Sequence, residues 1–427
     1  MIPEEKDARH IWHPYSMQHA GDRNIFITHA KGSVLYDSEG KEYIDAISSW
    51  WVNLHGHAHP YISSRIAEQA SQLEHVIFAG FTHAPAIHLA ERLLGHLPAN
   101  QKKMFFSDNG STAVEVAIKM SLQYWHNIGA PRTKVIAFRD AYHGDTFGAM
   151  SVSGRGAFTD PFQTLLFDVI FMDAPVPGNE DSSQYQLSEI LSREGDAVAA
   201  FIFEPLVMGT AGMRMYDAQW LDALISLCRR HGILCIADEV MTGFGRTGTF
   251  FASDRLKESP DIFCLSKGLT GGFMPMGVTS CTEAIHGAFV TDDKLKTFFH
   301  GHSYTGNPLA CAAALASLDL LENEEASRNI RCIESSHLAF AEKMKSLSNV
   351  RNVRVTGTIL ALDIVTGKET SYFDDIRKEL TAFFLSRGVL LRPLGNVVYV
   401  LPPYCITPDE LGRVYDVIVE YVGNHGV

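Results

Sequence analysis

A recurring pattern of short, continuously apolar segments separated by helical stretches constrains this chain more than any other feature. The segments are Met104-Phe-Phe-Ser-Asp, Lys134-Val-Ile-Ala-Phe, Asp168-Val-Ile-Phe-Met, Val198-Ala-Ala-Phe-Ile-Phe, Ile233-Leu-Cys-Ile-Ala and Asp261-Ile-Phe-Cys-Leu-Ser. Strands exposed on one face alternate polar and apolar residues, whereas strands covered on both faces do not. The expected fold class is therefore α/β, a large domain with a mainly parallel sheet flanked by helices, followed by a smaller α+β domain. Residues 33–46 read as a hairpin turning at Ser38-Glu39-Gly40. Helices are expected near 60–75 and 84–97, with Pro60 and Pro85 in first turns and Pro98 closing the second.

From Pro308 a small-residue helix leads into the second unit, ordered helix, strands, a helix from Tyr372 to Arg387, strands from Val389 to Pro402 and a helix after Pro408. The expected organisation is an N-terminal segment over 1–55, a large domain over 56–315 and a small domain over 316–427, joined by a helix and not a flexible tether. Composition agrees: 427 residues with 46% hydrophobic content exclude disorder and fibrous classes. Lys and Arg number 36 against 49 Asp and Glu, a net charge of −13, and no basic run marks a nucleic-acid partner. Apolar runs such as 197–203 fall well short of the ~20 residues of a membrane span. The N-terminus lacks a secretory apolar core and the 7 cysteines are scattered, so buried thiols in a reducing cytoplasm are expected.

Chemistry-bearing residues fall at the ends of the apolar segments. Asp108-Asn-Gly-Ser111-Thr separates a strand from an amphipathic run, and such a helix start offers free N–H groups and a hydroxyl to an anion, or is an ordinary cap. Asp238-Glu239 and Lys267-Gly268 end two further strands, where open α/β sheets place ligands. A strand-end acid, a strand-end lysine and a phosphate-type helix start are together the fixed contacts that pyridoxal 5'-phosphate requires. A desolvated lysine forms a Schiff base with an aldehyde, and a carboxylate at a pyridine nitrogen favours its protonated form. Gly243-Phe-Gly-Arg-Thr-Gly248 matches a dinucleotide fingerprint in form, but no strand runs directly into it. His55, His57 and His59 resemble a metal cluster without its remaining ligands, so no metal is expected and capping or packing roles are.

With these residues in place, the chain resembles the class III, fold type I aminotransferases from about His10 to Pro403. The supporting motifs are Ser107-Asp-Asn-Gly-Ser-Thr-Ala-Val-Glu, Tyr142-His-Gly-Asp145, Glu204-Pro205, Ala237-Asp-Glu-Val-Met-Thr-Gly-Phe-Gly-Arg-Thr-Gly, Leu265-Ser-Lys-Gly and Gly301-His-Ser-Tyr-Thr-Gly-Asn-Pro308. Ile11-Trp-His-Pro-Tyr15, Ser48-Ser-Trp50-Trp51 and Leu391-Arg392-Pro-Leu-Gly-Asn resemble the branch that makes 7,8-diaminononanoate in biotin synthesis.

The resemblance implies roles at matching positions. Lys267 carries pyridoxal phosphate, Asp238 faces its ring nitrogen, and Gly110 and Ser111 hold the phosphate with Ser303 of the second subunit of a homodimer. Tyr142 and Val240 take the two ring faces, and Tyr15 joins Lys267 and Asp238 as a catalytic residue. Substrate contacts fall to Tyr15, Trp50, Trp51, Tyr142, Asp145, Lys267, Gly301, Arg392 and Tyr399, with Arg392 receiving the carboxylate of 8-amino-7-oxononanoate. S-adenosyl-L-methionine is the expected amino donor, favoured over lysine because Tyr15, Trp50 and Tyr399 offer aromatic surface to an adenine and a sulfonium. A broader ω-aminotransferase acting on diamines or amino acids is the alternative. Two departures stand out: Met241 where many members carry Gln, which argues against the ornithine-type branch, and Ser303 where Thr is usual.

Overall fold

The computed structural model describes residues 2–17, 24–367, 370 and 374–424. Its centre is a seven-stranded sheet in the order Gln101–Ser107, Gly277–Thr282, Ile262–Leu265, Leu234–Asp238, Val198–Phe203, Lys134–Phe138 and Ile170–Met172. Each apolar segment named above supplies one strand. Val198–Phe203, buried along its whole length, lies between Leu234–Asp238 and Lys134–Phe138 and runs parallel to both. Helices such as Gly110–Asn127 and Ala218–Arg230 pack on the sheet.

One strand of this sheet carried no apolar signal. Gly277-Val-Thr-Ser-Cys-Thr282 pairs antiparallel with both neighbours. Its hydroxyls are buried because local acceptors satisfy them: Thr279 Oγ1 donates to Ala113 O at 2.8 Å and Ser280 Oγ to Gln101 Oε1 at 2.7 Å. A buried hydroxyl with a partner costs little, so polar residues here are compatible with a central strand.

The hairpin over 33–46 forms as expected, with strands Val34–Asp37 and Glu42–Asp45. It gains Ile27–Lys31 on one side and, in parallel on the other, Val389–Leu390 from the C-terminal part of the chain. The helices at Pro60–Ala70 and Ala84–His96 carry Pro in their first turns, and Leu97 ends the second. Helix Pro308–Leu321 packs against both, its buried Ala310, Ala313, Ala314 and Ala316 allowing close approach. After it come helix Glu324–Met344, a sheet ordered Val350–Thr356, Ile359–Ile364, Val397–Val400, helix Ile376–Ser386 and helix Pro408–Asn424. The expected helix start at Tyr372 lies outside the described residues.

Two expectations need correction or refinement. Five cysteines are buried, but Cys332 is exposed on its helix and Cys405 is half-buried, so the thiols are not uniformly internal. The histidine run is spent on structure: His55 Nε2 meets Ser317 Oγ at 3.0 Å and His57 Nε2 meets Asp45 Oδ2 at 2.8 Å, while His59 precedes a helix without capping it through its side chain.

Candidate active site

The parallel strands deliver their C-terminal ends to one cavity of about 650 Å³, lined among others by Gly110, Ser111, Tyr142, Asp238, Val240 and Lys267. Lys267 follows strand Ile262–Leu265 by two residues and adopts a left-handed φ of 44°. Ser266 Oγ donates to Met276 O at 2.6 Å and pins the residue before it. The Lys267 ammonium lies 4.7 Å from the centre of the Trp51 ring. Burial lowers it to about 8, the carboxylates of Asp238 and Glu204 pull the other way, and the Arg246 guanidinium adds to the lowering. Near neutral pH most of it is still protonated, but far more free amine is present than an ordinary lysine holds, and that fraction is the nucleophile.

Asp238 ends its strand with both oxygens engaged. Oδ1 accepts from Val240 N at 3.1 Å and Oδ2 lies 2.6 Å from His143 Nδ1. His143 N in turn donates to Ser153 Oγ at 2.8 Å, and His143 Nε2 is buried with no hydrogen-bond partner among the described residues. Glu204 spans two loops of the same wall, accepting from Tyr142 N at 3.1 Å and Gly209 N at 2.9 Å. Burial raises its carboxyl to about 7, against the attraction of His143. Sequence reasoning assigned no role to His143 or Glu204 although both lie inside recognised motifs; their function depends on which strand ends the fold brings together.

The opposite end of the cavity is the start of helix Gly110–Asn127. Asn109 caps it, accepting from Thr112 N at 3.0 Å. The first-turn N–H groups of Gly110 and Ser111 have no intrahelical acceptor, which is the arrangement that binds phosphate. Ser111 Oγ accepts from Thr146 N at 3.0 Å and meets Thr146 Oγ1 at 3.1 Å. Glycine is required at 110 because a Cβ there would sit 2.7 Å from Val240 Cγ1.

A second cavity of about 270 Å³ adjoins the first and is lined by Tyr15, Trp50, Trp51, Tyr142, Lys267, Arg392 and Tyr399, with Phe158 beside them. Arg392 stacks on Trp50 with its guanidinium carbon 4.6 Å from the ring centre, and that guanidinium makes no ion pair among the described residues. Tyr15 packs edge-on against Trp50 at 5.5 Å and Phe158 at 5.9 Å, and its hydroxyl donates to Asp145 Oδ2 and meets Tyr142 OH at 3.3 Å. Burial and the Tyr15 contact keep the Tyr142 phenol protonated far above its usual range. Tyr399 is 2% exposed and accepts from Trp51 Nε1 at 3.0 Å, so it braces the wall more than it offers an open face. Gly301 and Ser303 lie on an exposed loop and line neither cavity of their own chain.

Strand-end lysine, strand-end acid and anion-binding helix start thus converge at one end of a mainly parallel sheet, the arrangement expected of an aminotransferase. The family Aminotransferase class-III matches residues 16–422, and the chain belongs to it. Over 418 residues it is 50% identical to the adenosylmethionine-8-amino-7-oxononanoate aminotransferase of Synechococcus elongatus, covering 96% of this chain and 98% of that one. The crystal structure of the enzyme of the same name from Methanocaldococcus jannaschii superposes with a TM-score of 0.94 at 35% identity, covering 99% of each chain. An amine transaminase from an uncultivated Pseudomonas species, solved in its PLP-bound form, gives 0.92 at 32% identity over 98% of this chain and 99% of its own.

Proposed function

We propose that this aminotransferase converts 8-amino-7-oxononanoate to 7,8-diaminononanoate in biotin biosynthesis, with pyridoxal 5'-phosphate as cofactor and S-adenosyl-L-methionine as amino donor. One observation carries the substrate reading: a single aromatic-walled cavity is lined by both Lys267 and Arg392, the latter with its guanidinium over Trp50. A linear keto acid with its carbonyl near one terminus and its carboxylate at the other fits that polarity. The relatives named above support the choice of acceptor and donor.

The residues fit the cofactor. The helix start at Gly110 and Ser111 would hold its phosphate, Asp238 would pair with its ring nitrogen and Lys267 with its aldehyde, and Tyr142 and Val240 would pack against its ring, all of them lining the one cavity. When bound, the cofactor supplies an electron sink for the substrate's Cα electrons. His143 holds the Asp238 carboxylate in place, and Lys267, as a free amine, would move a proton at the reacting carbon. Arg392 pairs with the carboxylate in a two-pronged contact, while Trp50 and Trp51 exclude water along the chain between. Tyr15 and Asp145 attract the positive groups of the donor, and Trp50 and Tyr15 present aromatic surface to it.

The same reading makes the protein a cytoplasmic homodimer with shared active sites. Ser303 and Gly301 sit beside exposed Phe299 and Tyr304, and the neighbouring segment carries exposed Ile77 and Phe81. An apolar surface of this kind fits a partner subunit, whose cavity would receive Ser303. The division at 55 and 315 belongs to the proposal, supported by the pairing of the N-terminal strands with Val389–Leu390.

A half-reaction screen tests the function. S-adenosylmethionine, lysine, ornithine and simple amines are added singly to the holoenzyme while the visible absorption of bound cofactor is followed. Conversion by S-adenosylmethionine is expected. Conversion by lysine with no response to saturating S-adenosylmethionine refutes the donor, and response to simple amines alone favours a broad ω-aminotransferase, a chemistry represented among the structural relatives.

A further inference from the structure

The turn that carries both tryptophans is strained. Ser48 has a φ of 52°, Ser49 a φ of 60° with ψ of −78°, and Trp51 a φ of 65°. Left-handed backbone at non-glycine residues persists only where the surroundings impose it, and it gathers at functional sites. Here it puts the Trp51 ring over Lys267 and the Trp50 ring over Arg392.

Two buried, oppositely charged side chains impose it. Asp45 is 0% exposed. Its Oδ1 accepts from Ile47 N at 3.2 Å and Ser49 N at 2.9 Å, and its Oδ2 accepts from Ser49 Oγ at 2.9 Å. His57 Nε2 lies 2.8 Å from the same Oδ2, and Asn53 Nδ2 approaches His57 Nδ1 at 3.1 Å. Because the Asn53 amide nitrogen only donates, Nδ1 accepts and Nε2 carries the proton toward Asp45. From the other side comes Arg246, the arginine of the glycine-rich motif that no dinucleotide reading explains. It is 1% exposed and makes no ion pair among the described residues. Its Nη2 donates to Trp51 O and Asn53 O, both at 3.3 Å, and its Nη1 donates to Pro402 O at 3.0 Å. The Tyr404 ring covers the guanidinium at 5.2 Å, and a buried cation whose hydrogen bonds go to backbone carbonyls is costly unless the backbone it holds matters.

We propose that Asp45 and Arg246 are positioning residues that clamp the Ser48–Trp51 turn, and that through Trp50 they set how tightly Arg392 binds the carboxylate of the acceptor. The inference rests on the acceptor reading above and adds its specificity device. Trp51 has a further tether in Tyr399 OH at 3.0 Å, whereas Trp50 is 40% exposed, packs on the Tyr15 ring and the Arg392 cation, and has no side-chain hydrogen bond among the described residues. Loosening the turn therefore releases Trp50 first.

The test uses holoenzyme carrying Asp45→Ala, Asp45→Asn, Arg246→Met, or Asp45→Ala combined with Ser49→Gly. Asp45→Ala and Arg246→Met are each expected to raise the KM for 8-amino-7-oxononanoate about tenfold with kcat changed less than about threefold, and to weaken the tryptophan bands of the near-UV circular dichroism. Ser49→Gly in the Asp45→Ala background is expected to recover most of that KM, since glycine reaches these dihedrals unaided. Asp45→Asn keeps an oxygen for the Ile47 and Ser49 amides but sets its amide nitrogen against the proton of His57 Nε2, so it is expected to fold even if Asp45→Ala does not and to fall between wild type and Asp45→Ala in KM. An equal loss in kcat, no recovery in the double variant, or an Asn variant as impaired as Ala overturns the clamp. Should wild-type enzyme not accept 8-amino-7-oxononanoate, the acceptor reading fails, and the dichroism of the same variants still decides the clamp: weakened bands restored by Ser49→Gly support it, and unchanged bands overturn it.

Discussion

Lys267, Glu204 and Glu239 each follow the end of one of three neighbouring strands, and burial pushes each toward its neutral form. Their effects on stability occupy different pH windows. Glu204 and Glu239 are raised from 4.5 to about 7, so the folded state holds protons that the unfolded state has lost, and stability falls as pH rises through that interval. Lys267 is lowered from 10.5 to about 8. Between those values the unfolded chain binds the extra proton, so stability rises with pH, and the penalty is complete below about 8. The shift corresponds to on the order of 3 kcal/mol. Lys267→Met is therefore expected to stabilise the cofactor-free protein at pH 7.5 and to abolish the rise between pH 8 and 10, as read by urea unfolding at each pH. For the holoenzyme, borohydride reduction followed by peptide mapping is expected to mark Lys267, and a mark on another lysine refutes its role. Asp238→Ala is expected to leave cofactor bound while turnover falls by orders of magnitude, since electrostatic assistance of this kind contributes several kcal/mol.

The anion-binding end depends on how closely one helix approaches one loop. The Gly110–Asn127 helix starts against Val240, leaving no room for a Cβ at 110. Gly110→Ala should displace the first turn and weaken cofactor binding, and Val240→Ala in the same chain should restore part of it. Equilibrium dialysis of pyridoxal phosphate measures both; a Gly110→Ala variant that binds normally would show that the helix start does not depend on this packing. The cap is separable: Asn109→Ala removes the acceptor for Thr112 N and is expected to cost about 1 kcal/mol in urea unfolding.

On the scale of the whole molecule, Arg354 ties the C-terminal sheet to the loop beneath the active site. It donates to Asp363 Oδ1 at 2.8 Å, to Met213 O at 2.9 Å and to Gly212 O. Arg354→Met leaves Asp363, 3% exposed, without its cation and is expected to cost about 3–5 kcal/mol. Replacing both residues by apolar ones should recover much of that loss. Sedimentation at micromolar concentration checks the shared-site dimer, for which a fully active monomer is the refuting outcome.

The apolar strands, the helix-start prolines and the strand-end Lys267 and Asp238 were legible in the sequence because each follows from a local rule: burial on both faces, a fixed φ, a polar residue closing an apolar run. Gly277–Thr282 was not legible, since its hydroxyls find partners only once Ala113 and Gln101 lie beside it. His143 and Glu204 stood inside recognised motifs, but nothing in those motifs says that His143 meets a carboxylate 95 residues away. Likewise the glycine-rich run over 243–248 shows an arginine, and only the fold reveals that the arginine is buried against the backbone of Trp51 and Asn53. Local chemistry selects the elements and the reactive residue types; long-range packing selects their partners, because contacts between distant segments exist only after the chain has closed on itself.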